Sequence, residues 1–406
     1  MIAGALFLLS LLGYVAVNHG QHARFDYFTL LADAFLHGRL GLDGAPPWLN
    51  ELVPTADGRF AVVYPPAPAA LLLPLVAVFG RGLHQEIPSM LIGAANVALL
   101  SLVLREMGVP PRRRILLALV FAFGSVAWYS AVVGTAWHFA HVVATCGMLL
   151  AVYAAQRDAP TWSIGLAFGL AALSRLPVAA AAPFFAAYLA DRAARSRRGS
   201  RVPFGVPRAM RAADWRPPVR VFAHLALPFV AALAVPVALD LAYNAARFGS
   251  PLEPGYALIP GLLNEAQYRN GFFSLSNIPR QLHALFLTGP AFSSNPPWIR
   301  PHLVGGLSVL LTTPLLLWSF RVRDRDWFTL GAWASVALIF VPILTHADPG
   351  GAQWGYRYAQ DAYPLLFLLV ARALRAGAGR AARLAAVAGF VVNAWGVLAF
   401  YYGWWA

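Results

Sequence analysis

The sequence has no lysine, a single cysteine and few charges, with 12% of its 406 residues being Asp, Glu or Arg. Soluble domains have about 25% charged residues, so this composition excludes an ordinary soluble fold. The lone Cys146 excludes an intramolecular disulfide and a CxxC motif. Because the fixed cations are all arginines, a bound phosphate must be held by arginine forks, histidines or backbone amides.

The chain consists largely of apolar sequence, which makes up 59% of its residues. A bilayer core of about 30 Å is crossed by roughly 20 apolar residues in a helix. Runs near this length predict an all-α fold: a polytopic membrane helix bundle of about eleven spans, forming one integral-membrane domain over 1–406. The first run, 2–17, lacks the basic start and the cleavage site of a signal peptide, so we expect it to remain as the first helix. The spans are predicted near 2–18, 87–104, 115–133, 138–155, 161–174, 176–190, 221–245, 302–320, 327–345, 358–373 and 384–403.

Arginine is distributed unevenly between the segments that join these runs. We assume that the N-terminus lies in the cytoplasm and that residues 66–82 do not cross the membrane. The cytoplasmic segments are then 105–114, 156–160, 191–220, 321–326 and 372–383. They carry 21 of the 31 arginines but 6 of the 17 acids, as the positive-inside rule requires. The net charge of +14 is therefore explained by membrane orientation, and we expect the lipid bilayer rather than nucleic acid as a partner.

This topology places two long loops outside the membrane. They are 19–83, in which interfacial helices are expected, and 247–300. The arginine-rich loop 191–220 is cytoplasmic, and its simplest role is orientation. Every polar cluster that could support chemistry falls on the external side. We therefore expect a bacterial-type inner or plasma membrane protein with an extracytoplasmic active site.

The first external loop contains the strongest catalytic candidate. Residues 25–40 are predicted to form an interfacial amphipathic helix, with Asp26, Asp33 and His37 on one face because they are seven and four residues apart. Asp26 could be a general base toward an acceptor hydroxyl. It could equally stabilise the helix start and pair with Arg24. Asp33 and His37 are weaker candidates for contacting a substrate, since pairing within the helix also explains them.

Other polar residues interrupt apolar sequence at the external side. The histidines at 138 and 141 are three apart at the end of a span, and a metal there would need further ligands. Arg175 is predicted to lie at the tip of a short helical hairpin. Arg357 follows a glycine-rich loop at a helix start, which predicts a nearby anion, with Asp361 as the rival partner. The full set of candidate substrate contacts is Arg24, Asp33, His37, Tyr64, His138, His141, Arg175, Arg247, Arg269, Tyr356 and Arg357.

Several short motifs resemble the glycosyltransferase C superfamily, most closely the protein O-mannosyltransferases and lipid A aminoarabinose transferases. The motifs are Phe25-Asp26-Tyr27, Leu31 to Gly38, Tyr64-Pro65-Pro66, Phe79-Gly80, Gly165 to Leu170 followed by Ser174-Arg175, and Tyr356-Arg357-Tyr358 with Pro364. The resemblance is good over the N-terminal half and weaker after it. The chain departs from the pattern at Tyr27, where the family often has a second acid, and at Tyr64, where it often has a basic residue.

The resemblance implies a membrane glycosyltransferase that moves a sugar from a polyprenyl-phosphate donor to an acceptor hydroxyl, with inversion, on the external face. It implies Asp26 as the base. We expect the donor phosphate to contact Arg357, together with Arg247 or Arg269. The sugar, the acceptor and any assistance by a divalent metal stay open. A lipid or glycolipid flippase or transporter is the alternative, since charges within a helical bundle also suit transport.

Overall fold

The computed structural model describes residues 1–401 except 21, 23, 198, 200, 201, 208, 209, 211, 297, 303 and 352, and only the backbone of 212 and 213. The described chain is mostly helical, as predicted. Its helices are α1 (Ile2–Asn18), α2 (Tyr27–Leu36), α3 (Ala67–Phe79), α4 (Glu86–Glu106), α5 (Pro111–Phe123), α6 (Val126–Val133), α7 (Ala136–Gln156), α8 (Thr161–Ala172), α9 (Ala182–Ser196), α10 (Val219–Phe248), α11 (Ile278–Phe286), α12 (Val309–Thr312), α13 (Trp327–Thr345), α14 (Tyr363–Ala373) and α15 (Arg380–Tyr401). Two short antiparallel hairpins pair β1 (Leu52–Pro54) with β2 (Phe60–Val62), and β3 (Ala291–Phe292) with β4 (Ile299–Arg300).

Five helices among the described residues are long and apolar enough to cross a membrane by themselves, namely α4, α7, α10, α13 and α15. The pair α5 and α6, bent by 54° at its break, would make a sixth if it forms one span. The apolar helices α1, α2 and α8 and the segment 67–82 are shorter than this. The helical membrane architecture is therefore observed, while the predicted count of about eleven spans is not reproduced by helices of this length.

Some predicted spans are interrupted for local reasons. The run 115–133 breaks at Ser125, whose side chain accepts a hydrogen bond from the amide of Ala127 and so begins α6. The run 302–320 differs most from its prediction, because α12 covers four residues of it. A 3₁₀ helix from Pro314 to Arg321 follows. Pro314 lacks the amide hydrogen that would continue the hydrogen bonding of α12, so the α-helix ends before it.

Helix α7 is enclosed between α4 and α8, and most of its length is buried. The side-chain amide of Asn96 in α4 donates to the carbonyl of Val142 in α7 at 2.9 Å. On the opposite face, a Cβ added at Gly147 would lie 2.8 Å from the amide nitrogen of Ala171 in α8. Small residues let membrane helices approach closely in this way. The first two turns of α7, which carry His138 and His141, are therefore held firmly in the bundle.

Charged side chains gather at the two ends of the helices. At one end, Arg157 approaches Glu106 (3.7 Å), and the guanidinium of Arg372 contacts the carboxylate of Asp326 (2.7 Å). At the other end of α4, Glu86 contacts His22, which follows α1. In these pairs, residues that were predicted to lie on the cytoplasmic side of the membrane contact one another. Residues that were predicted to lie on the external side also contact one another.

Residues 24–83 of the first long loop form a layer at one end of the bundle. Its helix is shorter than the predicted 25–40: α2 ends at Leu36, and Gly38 turns the chain with a φ of 70°. Helix α3 packs against α2. The hairpin of β1 and β2 was not predicted, although Asp57-Gly58 is a common hairpin turn sequence and Gly58 has a φ of 77°.

Candidate active site

The position of Asp26, directly before α2, is set by its neighbour Tyr27. The ring of Tyr27 is fully buried. Its hydroxyl accepts hydrogen bonds from the backbone amides of Asn50 (3.0 Å) and Glu51 (2.9 Å). These bonds hold the loop before β1 against the start of α2. From that loop, the indole of Trp48 donates to Oδ1 of Asp26 at 3.3 Å.

A pocket of about 360 Å³ opens beside Asp26. Its polar lining, besides Asp26 and Trp48, consists of His22, Arg24, Arg81, His84 and Gln85. In the part of the chain that the structure describes, no ion pair joins Arg24 to Asp26, so the pairing considered from the sequence is not observed. The pocket thus combines one carboxylate with two arginines and two histidines, a set that can accept a proton and hold an anion.

The environment of Asp26 makes its carboxylate more basic. Burial raises the pKa of Asp26 above its ordinary value, and the negative charge of Glu86 acts in the same direction. The hydrogen bond from Trp48 and the charge of His84 lower the pKa but do not cancel the effect of burial. A carboxylate with a raised pKa is a better proton acceptor than an exposed aspartate.

A second acid, Glu51, lies at the end of the loop that Tyr27 holds. Its Oε2 accepts hydrogen bonds from the hydroxyl of Tyr64 and from the indole of Trp137, the latter at 3.1 Å. Burial raises the pKa of Glu51, and it also raises the pKa of Tyr64 well above its usual range. Tyr64 was predicted from the sequence as a substrate contact, but Glu51 was not, because the partners of Glu51 come from other segments of the chain.

Glu51 belongs to a group of buried and half-buried polar and aromatic side chains. The ring of Tyr64 contacts that of Tyr256 at a centroid distance of 6.2 Å. The guanidinium of Arg357 lies 5.0 Å from the ring centre of Tyr358. The positive charge of Arg357 lowers the pKa of Glu51, against the larger effect of burial. We call Glu51, Tyr64, Tyr256, Arg357 and Tyr358 the buried cluster.

Asp361, considered from the sequence as the rival partner of Arg357, pairs with Arg175 instead. The guanidinium of Arg175 donates to both oxygens of Asp361, from Nε at 3.3 Å and from Nη2 at 3.1 Å. Nδ1 of His141 lies 2.7 Å from Oδ1 of the same carboxylate, and both of these side chains are fully buried. This triad links α7 and the bend after α8 to the 3₁₀ helix Arg357–Ala362. Arg175 does lie at the bend between two helical segments, as predicted.

Arg357 is buried without a carboxylate partner. Its Nη1 donates to the side chain of Gln353 at 2.7 Å and to the carbonyl of Gly351 at 3.0 Å. Among the described residues, its Nε has no hydrogen-bond partner and no carboxylate lies within 4.0 Å of the guanidinium. The loop approaches it closely, since a Cβ added at Gly350 would lie 3.0 Å from Nη1. Arg357 therefore keeps part of its capacity to bind an anion.

Two other predicted contacts lie in internal hydrogen bonds. Nδ1 of His138 is 2.8 Å from the hydroxyl of Thr135, at the start of α7. The hydroxyl of the fully buried Tyr356 donates to the side chain of Gln281 at 2.6 Å. The structure places both side chains beside the buried cluster rather than in the pocket at Asp26.

The remaining predicted contacts lie in or after α2, at the end of α10 and in the loop that follows α10. Asp33 pairs with Arg81 at 2.7 Å, and Nδ1 of His37 lies 3.7 Å from its carboxylate. Arg247 lies at the end of α10, where it donates to the side chain of Asn244 at 2.8 Å and to carbonyls of Tyr243 and Val62. Arg269 is exposed. Among the candidates, Arg24 and Asp26 therefore line one pocket, and Tyr64 and Arg357 belong to the buried cluster. The hydrogen bond from the amide of Glu51 to Tyr27 connects the two groups.

Comparison with known proteins gives little further guidance. No family model matches the chain, and no curated protein matches it. Among solved structures, the chain is similar to the oligosaccharyltransferase of Archaeoglobus fulgidus, crystallised with a tethered acceptor peptide containing the NVT sequon. The TM-score is 0.47 and the identity 14%, covering 98% of this chain and 55% of that one. The chain therefore spans about half the length of that protein, and its activity has to be argued from its own residues.

Proposed function

We propose that this protein is an integral-membrane glycosyltransferase. It would move a sugar from a polyprenyl-phosphate donor to an acceptor hydroxyl, with inversion, on the extracytoplasmic face. The observation that carries the proposal is the Asp26 carboxylate, with its raised pKa, in a pocket whose other polar walls include Arg24, Arg81 and two histidines. Inverting transfer needs these two functions side by side: a base for the acceptor and cations for the departing phosphate.

In the proposed reaction, Asp26 takes the proton of the acceptor hydroxyl as its oxygen attacks the anomeric carbon. The bond from that carbon to the phosphate oxygen breaks on the opposite face, and the electron pair leaves with the phosphate. Arg24 is the first candidate to hold this anion, because it lines the pocket without an ion pair to Asp26. Arg81 is already shared with Asp33, so its contribution to phosphate binding is smaller.

A second base and cation occur together in the buried cluster. Glu51 has a raised pKa, and Arg357 has an unpaired Nε. The position of Arg357 at a helix start favours a bound anion, so the pair Glu51 and Arg357 is the competing location for the same chemistry. The matched variants Asp26→Asn and Glu51→Gln separate the two locations, because each removes one carboxylate charge with little change of shape.

The experiment uses the purified full chain in liposomes and a panel of radiolabelled polyprenyl-phosphate hexoses and pentoses. Loss of labelled donor is followed, so the acceptor need not be known. We expect Asp26→Asn to lower turnover by about 10²–10⁴-fold, the usual contribution of a general base, and Glu51→Gln to stay within about tenfold of wild type. The reverse result would move the base to Glu51. Movement of intact donor across the bilayer without turnover would identify a flippase and refute the proposal.

A further inference from the structure

Two histidines far apart in the sequence face one carboxylate at the edge of the Asp26 pocket. The rings of His22 and His84 stack with centroids 3.5 Å apart and planes 12° apart. Their Nδ1 atoms lie 3.0 Å and 3.8 Å from the same oxygen of Glu86. The three residues come from the segment after α1, the segment before α4 and the first turn of α4. None of them is among the catalytic or substrate contacts predicted from the sequence.

The spacing of the three side chains suits a metal ion. Their ligand atoms all lie within 4.8 Å of one another, which in the described chain holds for this one group of three. Tetrahedral zinc, with bonds of about 2.0–2.1 Å, places its ligand atoms about 3.3 Å apart. The two measured separations lie on either side of that value. Two imidazoles and one carboxylate are a usual three-ligand set for zinc, with the fourth position open.

The solvent exposure of the three side chains also fits a site that closes on an ion. The side chain of Glu86 is 3% exposed, whereas those of His22 and His84 are 58% and 44% exposed. The carboxylate is therefore fixed, and the two rings have room to turn their nitrogen lone pairs toward one point.

An ordinary hydrogen bond explains only half of this arrangement. Glu86 is an acid in the first turn of α4, where the helix dipole stabilises it, and His22 is within hydrogen-bond distance of it. His84 is too far away for a hydrogen bond at 3.8 Å. Two protonated imidazoles would also repel each other at the observed stacking distance. A shared cation explains why both rings face one oxygen.

We propose that His22, His84 and Glu86 bind a divalent transition-metal ion, with zinc as the best match to the ligands. His22 and His84 also line the pocket of Asp26, so the ion would add positive charge to the wall of that pocket, with its open position available to an anionic group. Metal binding at these residues does not depend on the proposed transferase activity.

The test measures zinc binding to the full-length protein purified in detergent without a polyhistidine tag. Competition with a chromophoric chelator should give one zinc per chain. In His84→Ala, whose side chain is partly exposed, the zinc Kd should rise at least about tenfold, because one of three ligands is lost. The exposed His302→Ala, outside the group, is the matched control and should bind as wild type. Zinc should raise the midpoint of thermal unfolding in wild type and in His302→Ala but not in His84→Ala.

Glu86→Gln provides a second variant with the shape of the ligand retained, and it should also weaken zinc binding. Asp26→Asn should keep the zinc, so failure of the transferase proposal and failure of the metal proposal are distinguishable. Equal zinc affinity in wild type and His84→Ala would overturn the inference, as would absence of stoichiometric zinc from the wild type at micromolar concentrations.

Discussion

Arg175→Met tests whether Arg175 stabilises the fold rather than binding substrate. The substitution removes two charge-assisted hydrogen bonds to Asp361, and it leaves this fully buried carboxylate with His141 as its remaining described partner. Each such bond contributes about 1.5–3 kcal/mol, so two amount to about 3–6 kcal/mol. Breaking a buried ion pair generally costs about 3–5 kcal/mol. We therefore expect the free energy of unfolding to fall by about 3–5 kcal/mol.

The assay is unfolding by SDS in mixed micelles, followed by the fluorescence of the 13 tryptophans. The control is Arg269→Met, an exposed arginine whose loss should change stability by less than about 0.5 kcal/mol. The double variant Arg175→Met/Asp361→Asn should recover part of the loss, because it removes the uncompensated charge. A loss below about 1 kcal/mol in Arg175→Met would refute the structural role and favour substrate binding.

Three further predictions concern Asp26 and the helix packing. The hydrogen bond from Trp48 lowers the pKa of Asp26. Trp48→Phe should therefore move the acidic limb of the pH–rate profile of donor turnover to higher pH. An acidic limb at the same pH as in wild type would contradict the assignment of Asp26 as the base. Since the folded pKa of Asp26 is raised, its contribution to stability is present below the unfolded pKa and lost as pH rises through the folded pKa. Asp26→Asn should then be at least as stable as wild type at pH 7 by SDS unfolding, and a less stable variant would count against this. Gly147→Val should destabilise the protein by about 1–3 kcal/mol by overpacking. The control Gly4→Val, at a glycine with open space around it, should leave the stability unchanged. Equal losses of stability in the two variants would argue against the close contact of α7 with α8.

The long helices could be read from the sequence because uninterrupted apolar runs leave the backbone in a membrane little choice but to form a helix. The predicted spans 87–104, 138–155, 221–245, 327–345 and 384–403 match α4, α7, α10, α13 and α15 to within a few residues. Runs with an internal break misled the prediction. Apolar composition alone does not show that Ser125 begins a new helix or that the chain at Pro314 becomes a 3₁₀ helix.

The candidate site was predictable only where its signal is local. Asp26 follows the first helix, and the position of Arg357 at a helix start was correct. Contacts between distant segments were beyond a single sequence. Asp361 pairs with Arg175 and His141, which lie 186 and 220 positions before it in the sequence. The nearby Arg357 was therefore the only partner that its local sequence suggested. Glu51 was missed for the same reason, since one of its hydrogen-bond donors is 86 residues further on.

The tyrosine that follows Asp26 restricts where this loop can carry negative charge. Tyr27 contacts the backbone of Glu51 through its hydroxyl, and the charge of Glu51 acts on it directly. An acid at position 27, as in the families that the sequence resembles, would place two carboxylates in the same buried surroundings, where like charges repel strongly. With acids at both positions 27 and 51, the repulsion would raise the pKa of one of them and favour its protonated form. The residues at these two positions therefore constrain each other and are best substituted together.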